Sequence, residues 1–132
     1  MEPGYRTPKD KNYYSSDLSK WIDENCTHEM TSINLDIFQL KRSCKKSRII
    51  ESKHSQEGMK YGQREALQHL ANLFVRMKVK FIKVYIIYGD YPYEKARIVR
   101  LSDNKEASVN QEQLRKFLNF EYQELEDINC AD

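Results

Sequence analysis

The chain has 132 residues, enough for one domain with a core of its own and too few for two comfortable ones. Apolar residues at 39% and aromatics at 11% exclude global disorder, and four glycines and three prolines leave little room for flexible linkers. The formal charge of +2 is uneven: residues 121–132 hold five acids and no base, leaving 22 basic against 15 acidic residues, or +7, on residues 1–120. A body of that charge suits a polyanionic partner, and the acidic end reads as a solvated tail.

Residues 1–14 are polar and proline-bearing and read as a flexible arm. Ser15 or Ser16 then offers an N-cap for a short amphipathic helix whose Leu18, Trp21 and Ile22 form one stripe. The next segment, "SINLDIFQLKRSCKKSRIIESKH", reads as two strands joined at "SCKKS". In the first strand Asp36, Phe38 and Leu40 share a face; in the second Ile49, Glu51 and Lys53 point one way and Arg48, Ile50 and Ser52 the other. From about Met59 to Lys78 the spacing turns helical, with Leu67, Leu70, Ala71 and Phe74 on one stripe. "VKFIKVYIIYGD" and "KARIVRL" follow as strands, and "SVNQEQLRKFLNF" opens a last helix with a Ser-x-x-Gln capping box. The expected fold is one small α/β domain over residues 15–120, a central mixed sheet flanked by helices in the order α-β-β-α-β-β-α, with an acidic tail over 121–132.

Cys26, Cys44 and Cys130 are odd in number and widely spaced, which fits neither a disulfide framework nor a zinc pattern and reads as reduced thiols. No window approaches the roughly 18 apolar residues of a membrane span, and "MEPGYRTPKDKNYY" lacks a signal peptide's apolar run. A soluble protein of the cytoplasm, without a membrane partner, is the expectation.

Glu51 and Lys53 stand out because they sit on one face of an apolar strand, roughly 6.6 Å apart along it. Buried charges cost several kcal/mol each unless compensated, and the ordinary reading is that such a face is merely solvated. Folding the hairpin about Lys45, however, brings Asp36 toward the level of Lys53 and gathers two acids and an amine at one end of a sheet. Two carboxylates, with the backbone carbonyl of Ser52, supply the hard oxygen ligands that Mg²⁺ or Mn²⁺ prefers. A lysine beside such an ion orients a water or offsets charge on a phosphorane, so the set suits phosphodiester hydrolysis.

Asp36, then fourteen residues, then Glu51-Ser52-Lys53 on an α, β, β, α, β frame resembles the PD-(D/E)xK nuclease superfamily, over about residues 16–90. The resemblance is nearest to its small Holliday-junction resolvase and recombination-exonuclease members. It implies Asp36 and Glu51 as metal ligands, Lys53 as the catalytic lysine, Gln63 as an assisting residue in the following helix, and Mg²⁺ or Mn²⁺ as cofactor. It also implies a further carboxylate from the first helix, for which Glu24 is the candidate and Glu29 the competitor. Leu35 stands where the family often has proline, and Leu67 where the glutamine motif often ends in tyrosine.

A nuclease of this kind acts on nucleic acid, DNA in preference to RNA. Its contacts are expected from the basic hairpin residues Lys41, Arg42, Lys45, Lys46 and Arg48, and from Lys60, Tyr61 and Arg64 at the start of the long helix. Reading a base sequence with so small a chain would call for a homodimer or a partner protein. The alternative is a module that grips nucleic acid or another protein on the same fold without cutting.

Overall fold

The computed structural model describes residues 17–26, 33 and 35–130. The chain divides into two units, 1–34 and 35–132. In the first, helix α1 (Asp17–Asn25) carries Leu18 and Trp21 exposed and Ile22 half-buried. The expected arm, the N-cap at Ser15 or Ser16, and Glu29 lie outside the described residues.

The second unit is an α/β domain built from β1 (Ile37–Lys41), β2 (Lys46–Lys53), α2 (Tyr61–Arg76), β3 (Ile82–Gly89), β4 (Lys95–Arg100), β5 (Lys105–Asn110), α3 (Gln111–Leu118) and α4 (Glu126–Cys130). The five strands form one sheet in the order β1-β2-β3-β4-β5. Strands β2 and β3 are parallel and every other pair is antiparallel, so the sheet is mixed. A parallel pair obliges the chain to return across the sheet, and α2 makes that crossing. It starts at the end of the sheet where β2 finishes. No helix among the described residues is long and apolar enough to cross a membrane.

Register assigns the side chains to faces. Ile50, Tyr85, Ile87, Ala96, Ile98, Ala107 and Val109 point to one face and pack with Leu114 and Phe117 of α3 and with Tyr122, Leu125 and Ile128 beyond it. Ile49, Val84, Ile86 and Val99 point to the other, where α2 contributes buried Leu67 and Ala71. These are called here the α3 face and the α2 face. Strand β1 forms one edge, and its Phe38 and Leu40 remain exposed.

Three expectations change. Residues 105–110 form a fifth strand, because Ala107 and Val109 alternate inward between polar neighbours. Helix α3 therefore starts later: its N-cap is Asn110, whose side chain accepts from Gln113 N–H at 2.8 Å while Gln113 Oε1 accepts from Asn110 N–H at 2.9 Å. The capping box is Asn110-x-x-Gln113 rather than one opened by Ser108. The acidic end is not a solvated tail over residues 121–128, since Tyr122, Leu125 and Ile128 recur at threefold spacing and are buried. Its acids face outward, where Glu126 pairs at 2.7 Å and Glu124 at 3.7 Å with Arg100.

Arg48 fastens this C-terminal segment to the sheet. Only 1% exposed, it donates to the carbonyl of Phe117, to that of Tyr122 at 2.6 Å and to that of Gln123 at 3.4 Å. Its guanidinium lies 3.8 Å from the ring centroid of Phe117 and 4.0 Å from that of Phe120. Burial, ahead of every other influence, pulls its pKa below the ordinary arginine value. Removing the side chain leaves buried carbonyls without donors and opens a cavity, so Arg48→Ala is expected to cost about 2–4 kcal/mol in urea unfolding. Lys46→Ala, which loses one exposed bond to Gln123, should cost under about 1 kcal/mol in the same measurement.

Candidate metal centre

The hairpin turn occupies residues 42–45 and is closed by Lys45 N–H donating to Lys41 carbonyl at 2.7 Å. The resulting register pairs Ile37 with Ile50, which sets Asp36 opposite Glu51, two positions short of the Lys53 level expected from the sequence. Cross-strand partners project from the same face, so Asp36, Glu51 and Lys53 share the α2 face. Asp36 is exposed and accepts from Ser52 N–H at 3.0 Å.

Glu51 is 3% exposed. The Gln63 side-chain amide, in the first turn of α2, donates to its Oε2. Lys53 Nζ stands 3.7 Å from the same oxygen and 3.6 Å from Glu57 Oε2. Burial first, and the Asp36 carboxylate second, push the Glu51 carboxyl up to about 7, against the opposite pull of Lys53 and Gln63. Two acids therefore crowd one another at a site where one is almost sealed from water. Such a pair is relieved by a proton or by a cation.

The structure thus brings together Asp36, Glu51, Lys53 and Gln63, with Ser52 half-buried between the two charged residues of β2. Glu24 is exposed on α1 in the other unit. Among the described residues no three His, Cys, Asp or Glu side chains gather as a ready-made cage. The donor set still fits a hard divalent cation, because two adjacent carboxylates offer negative oxygens that the protein itself only partly compensates.

Glu57 is a member of the cluster that the sequence reading missed. It accepts from His54 N–H at 3.0 Å, and this bond, with Lys53 beside it, holds its carboxyl below the usual range. The signal was its position four residues after Lys53. His54 and Ser55 are tied to Asp90 at the end of β3, with His54 Nδ1 3.2 Å from Asp90 Oδ1.

The expected nucleic-acid residues separate into two groups. Lys60 is the N-cap of α2, Tyr61 is exposed with its hydroxyl 3.3 Å from Glu65 Oε2, and Arg64 donates to Asn104 Oδ1 at 2.9 Å. All three lie at the end of α2 that holds Gln63. Lys41, Arg42, Lys45 and Lys46 instead surround the hairpin turn, about 16 Å along β2 from Glu51, so the basic tip lies at the other end of the strand from the acids. Arg48 is a correction of another kind: enclosed by Phe117, Phe120 and three carbonyls, it has no surface to offer a phosphate.

Compared with protein-family models, curated proteins and solved structures, the chain matches none.

The Glu51 shift has a direction that can be tested. The folded protein keeps this carboxyl protonated to about pH 7 against 4.5 as the ordinary value, so folding takes up a proton between those limits. The contribution of this group to stability therefore becomes unfavourable as pH rises through that window. In EDTA, wild type should lose more stability between pH 5 and pH 8 than Glu51→Gln does, measured by urea midpoints. Parallel pH profiles would contradict the shift.

Proposed function

We propose that the domain is a metal-dependent nuclease, hydrolysing phosphodiester bonds in nucleic acid, DNA in preference to RNA. The observation that carries this reading is the convergence of Asp36, Gln63 and Lys53 on one nearly buried carboxylate, Glu51. A structural ion pair needs one acid and one base. Here two acids are pressed together, which raises the energy of the metal-free site and favours cation binding.

In this reading Asp36 and Glu51 hold Mg²⁺ or Mn²⁺, with the Ser52 carbonyl as a further oxygen. Such an ion, when bound, supplies charge neutralisation at the phosphoryl oxygen and a water of lowered pKa. Gln63 donates to Glu51 Oε2 and so fixes the carboxylate plane. Lys53 is anchored between Glu51 and Glu57 with its side chain 14% exposed. From there its ammonium can orient the attacking water and meet negative charge developing on phosphorus. Lys60, Tyr61 and Arg64, with the N-terminus of α2, face the same end and suit the flanking phosphates.

The exposed, free Cys26 and Cys44 support a reducing, cytoplasmic setting. A homodimer or a partner protein is the means by which so small a domain would read a sequence.

Purified protein with Mg²⁺ or Mn²⁺ is expected to nick supercoiled plasmid or degrade single strands, and Glu51→Ala or Asp36→Ala to lose at least about 100-fold of that rate. Lys53→Ala should lose a similar factor yet keep the Mn²⁺-induced rise in melting temperature, which Glu51→Ala should lose. Equal cleavage by Glu51→Ala and wild type would remove the assignment. Salt-sensitive binding without cleavage would favour a non-catalytic nucleic-acid module, and absence of both binding and a Mn²⁺ shift would favour a protein-interaction module.

A further inference from the structure

The α2 face continues past the candidate centre. In register, Lys53 on β2 neighbours Tyr88 on β3, Tyr88 neighbours Arg97 on β4, and Arg97 neighbours Ser108 on β5. With strands about 4.8 Å apart, this row runs some 14 Å away from Lys53 across the sheet. Beside it lies the pair Lys95 and Asn110. Over these residues opens a groove of about 440 Å³, lined by Ser55, Tyr88, Lys95, Arg97, Ser108 and Asn110 together with Ala96 and Val109.

The chemistry of the lining is one-sided: it contains two cations, hydroxyls and an amide, and no carboxylate. Of the acids near it, Glu106 pairs with Arg97 at 3.1 Å and Asp90 with the hydroxyl and N–H of Ser55 and with His54. Lys95 is exposed and has no carboxylate partner among the described residues. The Arg97 guanidinium lies 4.4 Å from the Tyr88 ring centroid, which holds that planar cation in place on the groove floor.

We propose that this groove is the track for the nucleic-acid strand on one side of the cleaved phosphodiester, with Lys95 receiving a phosphate and Arg97, shared with Glu106, fixed beside it. The inference rests on the nuclease reading for its reaction, but the choice of surface rests on the groove itself. Charge complementarity selects a polyanionic strand, and continuity with Lys53 gives the strand its direction. The basic hairpin tip, about 16 Å away along β2, has no such continuity. Phosphate contacts of this kind position a strand without reading its bases, so this groove adds affinity and not sequence preference.

The test is fluorescence anisotropy with a labelled single-stranded DNA and its duplex, in EDTA, for wild type, Lys95→Glu, Lys95→Gln and Lys80→Glu. Lys80 is an exposed lysine in the α2–β3 connection and carries the same charge reversal away from the groove. Lys95→Glu is expected to weaken binding about tenfold, Lys95→Gln to lower the slope of log K against log salt by about one, and Lys80→Glu to stay within about twofold. Unchanged melting temperatures check that the exposed substitutions leave the fold intact.

Equal weakening by Lys95→Glu and Lys80→Glu, or none by either, overturns the groove, as does wild type that binds neither probe. A plasmid assay with Mg²⁺ separates this from the parent reading. Wild type that cleaves while the Lys95 variants bind and cleave normally removes the groove and leaves the nuclease. Lys95-dependent binding in a protein that never cleaves keeps the groove and removes the hydrolysis.

Discussion

Strand β2 is flanked by β1 and β3 and covered on both faces, so every polar group it carries has to be satisfied by something brought from elsewhere in the chain. It carries one buried charge toward each face: Arg48 toward α3 and Glu51 toward α2. The two are treated differently. Arg48 receives carbonyl acceptors and aromatic planes and is at rest. Glu51 receives an amide and a distant ammonium, and is opposed by Asp36. The same strand thus displays a buried charge whose needs are met and one whose needs are met in part. Incomplete compensation distinguishes a site from a scaffold, because only the second charge gains from a further ligand.

Much of this arrangement was legible in the residues. Alternation in "IFQLK" and "RIIESK" gives the faces of β1 and β2, and the spacing of Leu67 and Ala71 gives α2 and its buried stripe. Asp36, Glu51, Lys53 and Gln63 could be grouped because a hairpin followed by a crossover helix leaves few ways to arrange their strand and helix ends. The exact level of Asp36 was not legible, since a four-residue turn and a longer one differ only in where backbone bonds close. Strand β5 was hidden because "KEASVN" holds two small apolar residues among polar ones, a weak signal beside the strong helix pattern that follows it. The role of Arg48 was beyond sequence reasoning altogether. A basic residue near a basic turn resembles a surface contact until a tertiary neighbour some 70 positions away covers it.

The two faces of the sheet divide the work. The α3 face is closed by Phe117, Tyr122, Leu125 and Ile128, and its apolar contacts provide most of the domain's buried core. The α2 face is covered over Ile49, Val84, Ile86 and Val99, while Lys95, Arg97, Ser108 and Asn110 on the outer strands are exposed to solvent. A core concentrated on one side lets the other side keep charges that a sheet covered on both sides could not accommodate. The centre sits at the boundary between covered and open, where Glu51 is dry and Asp36 is wet.

The Arg48 clamp also ties an early part of the domain to its end. Its acceptors are the carbonyls of residues 117, 122 and 123, so the buried charge on β2 is satisfied only with those residues in place. Without them the guanidinium would lie within the sheet with no acceptor, a buried charge left uncompensated. Contacts of such long sequence separation carry a loop-closure entropy that the buried bonds must offset. The strand that carries Glu51 is thus secured by the final third of the domain, folded back over the first.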